Sequence, residues 1–184
     1  ELLMKKMALL FLILGVLSLV LSYYFYTKKE IPPADFSADN KQKGNDFEDY
    51  LIQLLGKTEG IQLVGKVSDY HKDGVSALEN TEPDLKFKTQ SAHFAVECKW
   101  RSSFKNGNIN WAKDYQIKNY NTYQKTKNEK VFVALGIGGT STQPERLFFV
   151  PLYRLKLEFA NEDYIKEFEI KDQNDLLKIL RNTL

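Results

Sequence analysis

Three side chains in this sequence, Asp84, Glu97 and Lys99, have the types and spacing for metal-assisted chemistry. In Phe94-Ala95-Val96-Glu97-Cys98-Lys99-Trp100, apolar residues alternate with Ala95, Glu97 and Lys99, so an extended strand turns Glu97 and Lys99 to one side. In Asp84-Leu85-Lys86-Phe87 the apolar pair is Leu85 and Phe87. If the two segments form a hairpin, both apolar sets share a face, because a one-residue slip turns every side chain over. A turn centred on Gln90-Ser91 meets that demand and pairs Leu85 with Val96. The same register sets Asp84 opposite Glu97, their Cβ atoms about 5 Å apart, with Lys99 beside them.

Two carboxylates at that distance repel unless positive charge lies between them. An oxygen-seeking divalent cation, Mg²⁺ or in its place Mn²⁺, suits the pair, because it needs only one or two carboxylates plus water and a substrate phosphate. Such an ion lowers the pKa of a bound water and neutralises charge on a scissile phosphate. Lys99 would orient the water or stabilise the developing negative charge. A surface ion cluster, with Lys99 paired to Glu97 or Asp84, accounts for the same residues.

The elements that must position these residues follow from periodicity and breakers. Phe47, Tyr50, Leu51, Leu54 and Leu55 recur at helical spacing, so 45–55 is expected to be a helix capped by Asn45 and ended by Gly56. Residues 61–67, 84–88 and 93–100 read as strands, with a loop over 68–83 that turns at Asp73-Gly74. A second helix is expected over 112–126. Residues 130–137, apolar on successive positions, suit a strand buried on both faces. Another strand over 147–150 and a closing helix over 172–184 complete an α/β domain, ordered α-β-β-β-α-β around a mixed sheet.

Charge is unevenly placed. Residues 31–85 hold 5 basic and 11 acidic side chains, whereas residues 86–130 hold 10 basic and 3 acidic. The basic block also contains Trp100, Phe104, Trp111, Tyr115, Tyr120 and Tyr123, and cations interleaved with aromatics suit a nucleic-acid backbone and its bases. An ordinary solvated lysine face is the plainer account. A single Cys excludes an internal disulfide and any zinc site built on several thiolates.

Residues 7–26 carry no charge over 20 positions, enough as a helix to cross roughly 30 Å of hydrocarbon. Lys5 and Lys6 precede the stretch, and Tyr23, Tyr24 and Tyr26 lie where an aromatic belt belongs. A cleaved signal peptide would show small residues at a cleavage site, and Tyr-Tyr-Phe-Tyr-Thr-Lys-Lys-Glu offers none. The expectation is a single-pass membrane anchor over 1–29, a polar linker over 30–44 containing Pro32-Pro33, and one domain over 45–184. Lysines 28, 29, 41 and 43 after the span favour a cytoplasmic domain.

Pro83-Asp84, followed after a β-rich interval by Glu97-Cys98-Lys99, resembles the PD-(D/E)XK motif of restriction-endonuclease-like nucleases. The resemblance covers roughly residues 44–150. Gly44-Asn45-Asp46-Phe47-Glu48 is similar to that family's first helix, whose glutamate helps bind metal, and Gln116-Ile117-Lys118-Asn119-Tyr120 to its QxxxY helix. The resemblance therefore implies a membrane-anchored, metal-dependent endonuclease, with DNA favoured over RNA as substrate. Asp84, Glu97 and Glu48 would hold metal, and Lys99 and Gln116 would join them in catalysis. Lys86, Lys88, Arg101, Lys105, Lys113 and Tyr120 would contact nucleic acid. Such folds often pair to cut two strands, so a homodimer is a further expectation. Glu48 would equally close a capping box with Asn45, and Gln116 and Tyr120 would serve as plain polar helix residues. A membrane-tethered binding module that does not cut, or a structural domain of a membrane complex, stands as the alternative.

Overall fold

The structure, a computed structural model, describes residues 1, 4–7, 14–19, 36–67 and 81–184. The chain divides into two compact units, residues 1–36 and 37–184. In the first, residues 4–7 and 14–19 are helical. No helix among the described residues is long and apolar enough to cross a membrane. Most of the expected span 7–26 lies outside the described residues, as does the expected turn at Asp73-Gly74.

The second unit is a mixed α/β domain consistent with the expected restriction-endonuclease-like class. Helix α1 (Phe36–Gly56) leads into strands β1 (Gln62–Lys66), β2 (Leu85–Lys88) and β3 (His93–Arg101). A short strand β4 (Asn108–Asn110), helix α2 (Asp114–Lys127), and strands β5 (Lys130–Ile137) and β6 (Arg146–Pro151) follow. Strand β7 (Phe159–Asn161), the single helical turn α3 (Glu162–Ile165) and helix α4 (Gln173–Thr183) close the chain. The main sheet has the order β1-β2-β3-β5-β6. Strand β3 runs parallel to β5, and the remaining neighbours are antiparallel.

The β2–β3 hairpin has the register that the hydrophobic pattern demands, with Leu85 opposite Val96 and Phe87 opposite Phe94. Its apolar face continues across the sheet as a run of rings. Phe87 stacks on Phe94 at 5.5 Å, Phe94 meets Phe132 edge-on at 5.7 Å, and Phe132 stacks on Phe149 at 4.7 Å. Strand β5 is buried from Val131 to Ile137, as its unbroken apolar run requires.

Helix α1 starts at Phe36 rather than Asn45, so residues 36–44 belong to a helix and not to the expected linker. Pairs four residues apart, Lys43 with Asp39 and Gln42 with Asp46, support this polar extension just beyond Pro32-Pro33. Asn45 is therefore interior and caps nothing, which removes the capping-box role for Glu48. Phe47, Leu51 and Leu55 form the buried stripe of α1. A Cβ on Gly136 of β5 would stand 2.5 Å from the Phe47 ring, so glycine is what lets the helix sit this close. Side chains alternate along β5, and Gly136 therefore lies on the opposite face from Val133, the register partner of Glu97. Helix α1 covers one face and α2 the other.

Two strands were not expected. β4 and β7 pair as a separate antiparallel sheet through Asn108–Asn161, Ile109–Ala160 and Asn110–Phe159. This small sheet positions Trp111, whose backbone amide donates to Glu158 O and whose ring nitrogen donates to Leu157 O. It thereby sets the entry to α2.

Candidate active site

A cleft of about 950 Å³ opens where the segment before β2, strand β3 and helices α1 and α2 converge, and Glu48, Asp84, Glu97, Lys99, Gln116 and Tyr120 all line it. The hairpin register places the first carboxylates. Asp84 precedes β2 and its Oδ2 accepts the Cys98 backbone amide at 2.8 Å, a bond that fixes it against β3. Glu97 lies on the face of β3 beneath α2 and is 1% exposed. The sequence pattern marks that face as polar, but α2 lies over it and buries it.

Lys99 Nζ pairs with Glu97 Oε1. The second oxygen, Glu97 Oε2, is buried and has no hydrogen-bond partner. A charged oxygen left in this state is costly, and buried charges are ordinarily paired or bound to metal. Burial first, and then the charge of Glu97, push the Asp84 carboxyl well above its ordinary range. Burial alone would lower Lys99, but the Glu97 and Asp84 carboxylates outweigh it and hold the ammonium above its usual range. The Tyr120 hydroxyl faces Glu97, and burial together with that carboxylate raises the phenol far above its usual value. Burial likewise keeps Cys98 protonated, and its side chain belongs to the core.

Hard oxygen donors, one of them orphaned and buried, beside a second carboxylate of raised pKa fit an oxygen-seeking divalent cation. Among the described residues no three His, Cys, Asp or Glu side chains group closely enough to hold a metal ion. Asp84 and Glu97 thus form a two-carboxylate pair, and Glu48 stands at the cleft with its Oε2 3.1 Å from Lys66 Nζ.

Of the expected nucleic-acid contacts, Arg101, Lys113 and Tyr120 line the cleft. Lys86, Lys88 and Lys105 do not. Lys86 is paired with Glu82 and lies 5.6 Å from the centre of the Tyr123 ring, outside the cleft. Lys88 and Lys105 are exposed elsewhere. Sequence reasoning missed Lys43, which lines the cleft from α1 with its ammonium 6.0 Å from the centre of the Trp100 ring. The i,i+4 pairing of Asp39 with Lys43 was the available signal. Gln116 accepts the Lys113 amide at 3.0 Å through Oε1, closing the first turn of α2.

No protein-family model matches the chain, and no curated protein matches it. Among solved structures it is similar to Hjc, a Holliday junction resolvase from the archaeal hyperthermophile Archaeoglobus fulgidus. The TM-score is 0.53 and the identity 19%, over 72% of this chain and 97% of the resolvase. The chain has the fold of that resolvase. At 19% identity the likeness extends to the fold alone.

Proposed function

We propose that this protein is a divalent-metal-dependent endonuclease that hydrolyses phosphodiester bonds in DNA. The observation that carries the reading is Glu97 Oε2, a buried and unpartnered carboxylate oxygen in the same cleft as Asp84. Asp84 and Glu97 would hold Mg²⁺ or Mn²⁺, which when bound activates water and offsets charge on the scissile phosphate. Lys99, held as an ammonium by Glu97, is a donor and not a proton acceptor, so it orients the attacking water or steadies a phosphate oxygen. The Gln116 carbonyl oxygen is already engaged by the Lys113 amide, which leaves its amide nitrogen to donate toward substrate. Tyr120, whose hydroxyl interacts with Glu97, would help to hold that carboxylate in place. The shared fold with a Holliday junction resolvase supports DNA as the polymer. Residues 7–26 are proposed to tether the domain to a membrane, with the nuclease on the cytoplasmic side. A reporter at the C-terminus, scored for cytoplasmic or external activity, tests that placement.

Asp84→Asn and Glu97→Gln are each expected to lower Mg²⁺-dependent plasmid cleavage by about a thousandfold while leaving the circular dichroism spectrum intact. Metal-dependent cutting that survives both substitutions would remove the mechanism. DNA binding without cleavage in the unaltered chain would favour a module that holds nucleic acid and does not cut it.

A further inference from the structure

We infer that the cleft receives a single unpaired DNA strand, so that the substrate class is DNA with a splayed or single-stranded segment at the cutting site. The inference rests on the nuclease reading of the cleft and adds the form in which DNA enters it. The chemistry is recessed: Glu97 is 1% exposed, and the Lys99 side chain only 20%. The space above them, about 950 Å³, falls within the range of roughly 300–1,000 Å³ typical of small-ligand pockets. It suits a few nucleotides of one strand. A duplex, whose major groove alone is about 12 Å wide, would have to bring a scissile phosphate to that floor without opening.

The two walls carry the two features that a single strand uses. On the α1 wall, the Lys43 ammonium stands over the ring of Trp100, which is fixed by its Nε1 donating to Gly138 O at 3.1 Å. Its ion pair with Asp39 is exposed and therefore weak, so this cation exchanges that partner for a phosphate. On the α2 wall, Tyr115 lines the cleft beside Lys113 and is 55% exposed, whereas Trp111 and Tyr120 nearby are buried. An open aromatic ring in a polar cleft is a stacking surface for a base, and a charged groove with stacking aromatics is how unpaired strands are held without regard to sequence. In a continuous duplex the bases are stacked on one another and have no free face for Tyr115.

Fluorescence anisotropy on the full chain, without divalent metal, compares one sequence as single strand, forked duplex and blunt duplex. The single strand and fork are expected to bind at least tenfold tighter than the blunt duplex. Tyr115→Ala should weaken that binding by roughly tenfold, and Tyr115→Phe should retain it. Equal affinity for the blunt duplex, or no effect of Tyr115→Ala, overturns the inference. Cleavage of the three DNAs with Mg²⁺ is scored separately. The binding preference without any cleavage supports the strand inference and counts against the nuclease reading, so the two fail apart.

Discussion

The Glu97–Lys99 pair decides what can be changed at the catalytic floor without unfolding it. Glu97 brings a charge into the interior, and Lys99 compensates one of its oxygens. Removing one partner of a buried pair leaves the other charge uncompensated and costs about 3–5 kcal/mol, whereas replacing both is often nearly neutral. Lys99→Met is therefore expected to lower urea stability by about 3 kcal/mol, and the Lys99→Met, Glu97→Gln double variant to recover most of it. An additive double variant would show that the two charges are not coupled. The practical consequence is that loss of cleavage in Lys99→Met reports on catalysis only when it is assayed where the variant is still fully folded by its own urea curve. At this scale the sequence was informative, because strand parity alone brings Asp84, Glu97 and Lys99 together. What parity hid was the depth of Glu97. Burial of that face depends on where α2 packs, and α2 lies well beyond the hairpin in the chain.

Among the elements, those with strong periodicity or unbroken apolar runs were legible, and β5 runs over the residues its composition dictates. The sheet of β4 and β7 was not, because three-residue strands such as Asn108-Ile109-Asn110 carry no period, and its pairing spans some fifty residues. That region is held by ions as well as by apolar contacts. Arg146 at the start of β6 donates to both Glu169 oxygens, at 2.7 and 3.2 Å, and to Glu162 at the start of α3 at 2.5 Å. The bonds to Arg146 hold the Glu169 carboxyl below its ordinary value. A carboxyl whose pKa falls on folding contributes stability above its unfolded value, and that contribution disappears as pH drops through the folded value. Glu169→Gln should therefore cost about 1 kcal/mol at neutral pH. It should also show a shallower loss of stability below about pH 4.5 than the unaltered protein. Urea denaturation at neutral pH and along the acid limb measures both, and parallel acid limbs would exclude Glu169 as a source of the acid sensitivity.

For the whole molecule, the arrangement of charge in the fold matters more than its distribution along the chain. The sequence holds ten basic residues between 86 and 130, but the fold does not present them as one surface. Lys86, Lys88, Lys105 and Lys118 lie outside the cleft and Lys99 is paired with Glu97 at its floor, while Arg101 and Lys113 line it. Lys41 and Lys43 join them from α1, a segment whose composition suggested a tether. The cations placed to meet a DNA backbone thus number about four, drawn from both of the charge blocks seen in the sequence. Each phosphate neutralised releases counterion, contributing roughly −0.7 for a single strand, or −0.9 for duplex, to the slope of log affinity against log salt. DNA binding by the full chain, measured without divalent metal between about 50 and 200 mM salt, is therefore expected to show a slope of roughly −3. Lys43→Ala should make the slope shallower by just under one, and Lys88→Ala should leave it unchanged. A slope of about −7 or steeper would mean that the entire basic block touches DNA, and would place the nucleic-acid surface outside the cleft.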